Sequence, residues 1–413
     1  MPAASFSDMT ELTRTASVVC VALNTMKILP TFSFAQTLRA LVFFIELLSV
    51  AVPFGLTQQP LRATALAMEQ NGNSEGAEQV WKDLAKAHQG DPEPPAHIGL
   101  LEARQLHYDA AIESYKQALA LKPDYPGLRL NLGLAYFKAA QFPDAIRSFK
   151  LELKRAPEDQ RLTILLGMAH YGMGDYLVAI PYLSQAADRD RQSLPLRLTL
   201  AHSCLWSKQY DCVLTVEKEI LALNSESAEA DMLAGEALDE MGDDAGAVEQ
   251  FRSAVRANPK EPNVHFGLGY LLWKQSKVAE AATEFQAEIV NDPTHKNARA
   301  YLGDSYVILS HYAEAEPELL KAAADAPSIA MVHRDLGIVY ANTNRKDRAI
   351  EELQLAISLD PQDMAPHWRL AKLYQSSGKK DEAKAEFATA SKLNKATDEA
   401  LTSKMSGSQT GQP

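Results

Sequence analysis

The chain is acidic: its 413 residues include 53 Asp and Glu against 41 Lys and Arg, for a formal net charge of −12. A nucleic-acid partner would need a basic surface, so this charge argues against binding to a phosphate backbone and favours neutral or basic partners. An ordinary globular chain of this length would form two or three domains, whereas a repeat protein grows by adding units.

The first 57 residues contain the most apolar stretch of the chain. That stretch is 40–56, ALVFFIELLSVAVPFGL, and Lys27 and Arg39 precede it. A basic region, an apolar core and small residues near its end, such as Ser49 and Ala51, are typical of a secretory signal peptide. We therefore expect a cleaved signal or a membrane anchor, with the rest of the protein extracytoplasmic (periplasmic or secreted) and membrane contact confined to this segment. In the alternative interpretation the segment is a buried capping helix, and the protein is cytoplasmic.

From residue 58 to residue 397 the sequence repeats every 34 residues without insertion or deletion. The clearest unit, 330–363, predicts two helices by its apolar spacing, with an Asn-rich turn at 342–345 and Pro361 at its end. Small residues at positions 8 and 20 of the unit allow the helices to approach closely, and position 24 is bulky and apolar in every unit but one. Position 8 is occupied by Ala65, Gly99, Gly133, Gly167, Ala201, Gly235, Gly269, Gly303, Gly337 and Ala371.

This pattern, completed by Pro at position 32 in six units, resembles the tetratricopeptide repeat family. The resemblance implies an all-α fold, a right-handed α-solenoid of about ten 34-residue helix-turn-helix repeats. These repeats occupy 58–397, between the N-terminal region 1–57 and a polar C-terminal tail at 398–413, in which 398–405 could form a half-helix. The resemblance also implies that the first helix of each repeat faces a concave groove, into which positions 2, 5, 9, 12 and 13 project.

The fifth repeat, 194–227, departs most from the pattern. Val213 replaces the small residue at position 20, and Glu217 replaces the bulky apolar residue at position 24. Cys204 and Cys212 flank its turn, where the resemblance places them near the contact between the two helices. A disulfide between them fits an exported protein, and the alternative is a pair of buried thiols.

No set of residues indicates catalysis. The ten histidines are scattered, and no two flank a Glu at the i, i+4 spacing of a helical zinc site. Gly267 and Gly269 lack the third glycine of a dinucleotide loop and fall within a predicted first helix. Asp and Glu pairs abound, but on predicted exposed faces. The sequence therefore predicts no enzyme activity, no cofactor and no metal.

The predicted groove combines apolar and aromatic side chains with an acidic wall. Such a surface suits a peptide or an amphipathic helix, and basic residues in that partner would suit the wall. The alternative is that several of these side chains are core residues between neighbouring first helices. The groove residues are Leu134, Phe137, Met168, Tyr171, His202, Leu205, Trp206, Phe266, Tyr270 and Trp273, and the acidic wall comprises Glu229, Glu236, Asp239 and Glu240.

Three functions are compatible with these features. The first is a non-catalytic scaffold that binds a peptide or protein partner in the groove. The second is a structural assembly protein that acts through self-association or in a membrane-anchored complex. The third is an adaptor subunit that presents substrate to an enzyme on another chain. The sequence does not name the partner, because a repeat fold does not fix a function.

Overall fold

The computed structural model describes residues 58–407, with side chains for all of them except 58, 397 and 400–407. This part of the chain contains twenty α-helices and no β-strand. The first helices of the ten repeats are α1 (Gln58–Gln70), α3 (Glu93–Arg104), α5 (Leu128–Lys138), α7 (Gln160–Gly172), α9 (Leu194–Trp206), α11 (Ala228–Glu240), α13 (Val264–Lys274), α15 (Lys296–Ile308), α17 (Ala330–Asn342) and α19 (Met364–Ser376). The second helices are α2 (Ser74–Ala87), α4 (Tyr108–Leu121), α6 (Phe142–Arg155), α8 (Tyr176–Arg189), α10 (Tyr210–Leu223), α12 (Asp244–Ala257), α14 (Val278–Asn291), α16 (Tyr312–Asp325), α18 (Lys346–Leu359) and α20 (Lys380–Gly407).

The helices keep the 34-residue register of the sequence. Every second helix begins at position 17 of its unit, and every first helix begins within two residues of the predicted start. The all-α helix-turn-helix prediction is therefore confirmed for the described residues. The last helix, α20, continues through the predicted boundary at 398 and ends at Gly407.

The predicted signal or anchor segment, 40–56, lies outside the described residues. Among residues 58–407, no helix combines the length and the apolar character that crossing a membrane requires.

The described residues fall into two compact units, an N-terminal unit at 58–209 and a C-terminal unit at 210–407. The division lies in the turn of the fifth repeat, which is the repeat that departs most from the common pattern. In the C-terminal unit Glu217 remains buried, although it occupies the position that is bulky and apolar elsewhere. Burial raises the pKa of this carboxyl, and the nearby charge of Asp231 raises it further.

The two helices of a repeat touch where position 8 meets position 24. A Cβ placed on Gly133 would lie 2.5 Å from Cε1 of Phe149, and one on Gly303 would lie 2.5 Å from Cδ2 of Leu319. Real Cβ atoms do not approach other atoms so closely, because core packing is dense and overfilled sites distort. The prediction that small residues permit close helix approach is therefore confirmed.

The turn between the two helices has the same backbone conformation in all ten repeats. Position 15 has a positive φ, between 57° and 82°, and the N–H of position 16 donates to the carbonyl of position 11. This is the Schellman-type ending of a helix, for which glycine is the usual residue. Only four repeats have glycine there. The residues at position 15 are Gly72, Leu106, Ala140, Gly174, Lys208, Gly242, Ser276, Ser310, Asn344 and Gly378.

A contact between a nitrogen-bearing side chain and a carboxyl group links the two helices in each of the last four repeats. It joins position 4 to a Glu at position 23, and the distances are 2.6–2.7 Å. The pairs are His265–Glu284, Arg299–Glu318, His333–Glu352 and His367–Glu386. Three of the histidines that looked scattered in sequence thus share one structural position. The described part of the chain has no cluster of three His, Cys, Asp or Glu residues that could hold a metal ion.

Leu106→Gly should raise the free energy of unfolding by about 1 kcal/mol. Leu106 has a φ of 64° and is exposed, so glycine relieves left-handed strain with little loss of packing. Urea unfolding followed by circular dichroism measures the change. The matched control is Leu151→Gly within α6, which should lower stability by about the same amount. Equal destabilisation by both variants would contradict the interpretation that the backbone of Leu106 is strained.

Candidate functional site

Helix α13 carries three of the six Phe, Tyr and Trp side chains predicted for the groove, and its neighbours fix its position. A Cβ on Gly267 would lie 2.1 Å from the ring of Phe251, and one on Gly269 would lie 2.8 Å from the ring of Phe285. The two glycines therefore serve helix packing, as their predicted place in a first helix implied. The buried Glu288 carboxylate accepts the backbone N–H groups of residues 263, 265 and 266 at 3.0–3.1 Å. A carboxylate at a helix N-terminus is favourable, because it satisfies free N–H groups and opposes the helix dipole.

The aromatic residues of α13 pack around Tyr301 of α15. The ring centroids of Phe266, Tyr270 and Trp273 lie 6.0, 5.6 and 5.2 Å from that of Tyr301. Phe266 and Tyr270 are buried, whereas Trp273 is half-buried. Burial raises the pKa of the Tyr301 hydroxyl. Tyr301 was not among the groove residues predicted from the sequence. Its place on the next first helix, 28 residues after Trp273, could have indicated that it contacts the aromatic residues of α13.

A polar network continues from Trp273 across the next two first helices. The indole Nε1 of Trp273 donates to Oδ2 of Asp304 at 2.7 Å. Arg334 on α17 donates from Nη2 to Oδ1 of Asp304 at 2.7 Å, and from Nε to Oδ1 of Asp335 at 2.8 Å. Its Nη1 also lies 3.8 Å from Oδ2 of Asp363. We call Trp273, Asp304, Arg334, Asp335 and Asp363 the Arg334 network.

Asp335 is the most deeply buried member of the Arg334 network. Its side chain is fully buried, and Oδ2 makes no hydrogen bond with any described residue. Burial raises the pKa of this carboxyl to about 8, against the lowering effect of Arg334, and the charge of Asp304 adds to the rise. Asp335 is therefore mainly protonated at neutral pH. Asp304 and Asp363 are the other carboxyl groups that face Arg334.

The predicted acidic wall on α11 is largely engaged with other groups. Glu236 is buried, and Asp239 accepts from Nζ of Lys274 at 2.6 Å. Glu240 accepts a 3.3 Å hydrogen bond from the Tyr210 hydroxyl and stays exposed, while Glu229 is half-buried. The wall therefore presents less negative charge to a partner than its four carboxylates suggest.

In the N-terminal unit, the predicted groove residues form a second aromatic cluster. The ring of Trp206 lies 4.8 Å from Tyr176, 5.0 Å from His202 and 5.6 Å from Tyr171. Trp206 and Leu134 are half-buried. The remaining predicted groove residues of this unit are buried, which favours the core role that the sequence left open: Phe137, Met168, Tyr171, His202 and Leu205. Contact of any of them with a partner stays a prediction.

The two cysteines lie on either side of the boundary between the units. Cys204 is fully buried on α9, and Cys212 is half-buried on α10. The disulfide between them stays a prediction.

Asp335→Asn should remove a pH dependence of stability. The folded protein holds the Asp335 proton up to about pH 8, whereas the unfolded chain releases it near its ordinary pKa of 3.8. Wild-type stability should therefore fall as the pH rises between these values. Asn imitates the neutral carboxyl and does not titrate. The free energy of unfolding of the variant, relative to that of the wild type, should therefore rise by about 2 kcal/mol or more from pH 5 to pH 8.

Urea unfolding at the two pH values, followed by Trp fluorescence, measures this gain. The control is Asp347→Asn on the exposed side of α18, for which the difference should not change with pH. A pH-independent difference for Asp335→Asn would show that Asp335 is ionised in the folded protein.

Comparison with known proteins agrees with the repeat architecture. A TPR repeat family matches residues 107–139. One tetratricopeptide repeat family matches residues 218–262, 232–296 and 302–363, and a second matches residues 366–397. No curated protein matches the chain significantly.

Several solved structures match part of the chain. MamA is 24% identical, over 40% of this chain and 96% of that chain, with a TM-score of 0.36. YrrB, a TPR protein with an unusual peptide-binding site, is 21% identical over 45% of this chain and 95% of that chain, with a TM-score of 0.41. MamA from Desulfovibrio magneticus RS-1 is 22% identical over 41% and 97%, with a TM-score of 0.38.

All three TM-scores are below 0.5, so no function is inferred from these structures. The family matches between residues 107 and 397 and the ten helix pairs in one 34-residue register identify the repeat itself. The chain belongs to the tetratricopeptide repeat family.

Proposed function

We propose that this protein is a non-catalytic scaffold that binds a protein or peptide partner along the first helices of its repeats, outside the cytoplasm. Binding of proteins or peptides is the general activity of tetratricopeptide repeat domains. The observation that carries the proposal is the half-buried Trp273, whose indole is held by Asp304 and packed on Tyr301.

A tryptophan held in this way is well suited to anchor a partner. Its orientation is fixed by the 2.7 Å hydrogen bond to Asp304, so little side-chain entropy is lost on binding. Large aromatic side chains dominate the energetics of protein interfaces when they are packed in this manner. Trp206 in the N-terminal unit has a comparable setting, half-buried among Tyr171, Tyr176 and His202.

The architecture supports a function without catalysis. Within residues 58–407 every helix belongs to a repeat, so this part of the chain contains no separate catalytic domain. The polar groups of the Arg334 network, such as Arg334 and Asp335, hydrogen-bond to each other within the stack of first helices. We propose that this part of the chain binds its partner without changing it chemically, and that its specificity consists in which partner it binds.

The partner surface that we propose is apolar and aromatic, with a small acidic part. Glu229 and Glu240 on α11 keep exposed area and would attract basic side chains of an amphipathic partner. The net charge of −12 disfavours nucleic acid, whose phosphates would be repelled.

Photo-crosslinking in the native cell tests the scaffold function. Benzoylphenylalanine at position 206 or 273 should capture the same discrete partner, because both sites lie on first helices and retain the aromatic character of Trp. The control is the same residue at position 150, where exposed Lys150 lies on second helix α6. Equal capture from all three positions would overturn the proposal, and capture of a second copy of this chain would favour the assembly function instead.

The proposed location rests on the 40–56 segment of the sequence and can be tested separately. Cell fractionation should place the protein outside the cytoplasm or in the membrane fraction. Sequencing of the mature N-terminus should show cleavage near residue 51 or an intact anchor. A cytoplasmic protein that retains 40–56 would favour the capping-helix interpretation.

A further inference from the structure

The C-terminal unit has opposite charges at its two ends. The sixth repeat, 228–261, carries nine Asp and Glu against three Lys and Arg, a net charge of −6. The tenth repeat, 364–397, carries seven Lys and Arg against three Asp and Glu, a net charge of +4. The tenth repeat is therefore positive in a chain whose net charge is −12. A local positive charge favours partners that carry complementary negative charge.

The first helix of the tenth repeat presents part of this charge beside an exposed aromatic ring. Trp368 on α19 is 41% exposed, which is unusual for tryptophan. Nζ of the exposed Lys372 lies over its indole ring, 3.8 Å from the centroid. Arg369 is the neighbour of Trp368 and is half-buried.

Arg369 and Arg334 differ in their partners. Arg334 pairs with Asp304, Asp335 and Asp363, as described above. Arg369 forms no ion pair or hydrogen bond with any described residue. Burial lowers the pKa of its guanidinium and the charge of Arg334 lowers it further, while nearby Asp335 and Asp363 act in the opposite direction. A partly desolvated guanidinium without a direct ion pair is stabilised when an anion binds to it.

We propose that Trp368, Arg369 and Lys372 form a docking site for an internal acidic segment of the partner. The proposal rests on the scaffold function and adds the chemistry of what is held at the tenth repeat. Arg369 would take a carboxylate as a bidentate ligand, Lys372 would take a second carboxylate, and Trp368 would cover the apolar part of the segment. Arg369 and Lys372 are three residues apart on one helix, about one turn, so two carboxylates spaced along a chain fit better than a single chain terminus.

A peptide array tests this site with the full-length protein. The array holds random 12-residue peptides in two forms, one with both ends blocked and one with a free C-terminal carboxylate. Wild-type protein should retain blocked peptides enriched in Asp and Glu. Arg369→Gln should bind the selected peptides about tenfold more weakly, whereas Arg369→Lys should keep the preference for acids. The control, Lys384→Gln, removes a positive charge from exposed second helix α20 of the same repeat and should bind as wild type does.

The outcomes separate this proposal from the scaffold function. If wild type retains peptides without acidic enrichment, or if Arg369→Gln and Lys384→Gln bind alike, the acidic docking site is wrong and the scaffold function stands. Binding only to peptides with a free C-terminal carboxylate would contradict the proposal that the bound segment is internal to the partner. If the wild-type protein forms a concentration-dependent dimer and Arg369→Gln does not, a second copy of this chain occupies the site. That result would contradict the proposed acidic partner. If no peptide binds and no partner crosslinks at Trp273, both proposals fall.

Discussion

The close contact between position 8 and position 24 holds each helix pair together, and the rest of the structure depends on it. At this contact a large side chain, such as Phe149 or Leu319, occupies the space that a Cβ on the facing glycine would need. Neither helix of a repeat could bury its apolar side alone, because an isolated helix of this length is marginal in water. Once paired, the helices can add neighbours without limit, since each repeat contacts only the next ones.

Because the helix pairs depend on a few fixed positions, the remaining positions of the first helices are free to carry polar and charged side chains. The Arg334 network shows how far this freedom extends, since it joins a tryptophan, an arginine and three carboxyl groups from three repeats. Buried charges of this kind contribute little net stability, because desolvation offsets their attraction. Protonation of Asp335 lowers that cost by removing one negative charge from the interior.

Charge is distributed unevenly over the C-terminal unit. Among the acidic groups of α11, Asp239 pairs with Lys274, and Glu240 accepts a hydrogen bond from the Tyr210 hydroxyl. The basic groups of α19 include Arg369, which forms no ion pair with any described residue. A partner that lies along these first helices would therefore meet different electrostatic environments at the two ends, which favours one direction of binding over the other.

The sequence by itself determined the period, the helix pairs and the contact between small and large residues, because these features recur in every unit and need only local packing. It also determined which helices carry Trp206 and Trp273. Only the tertiary structure decided that Phe266 and Tyr270 are buried, since their burial depends on Tyr301 from the next repeat. The same holds for the Arg334 network and for the unpaired Arg369. Their partners come from neighbouring repeats, and the spacing between repeats does not reveal which polar side chains will meet.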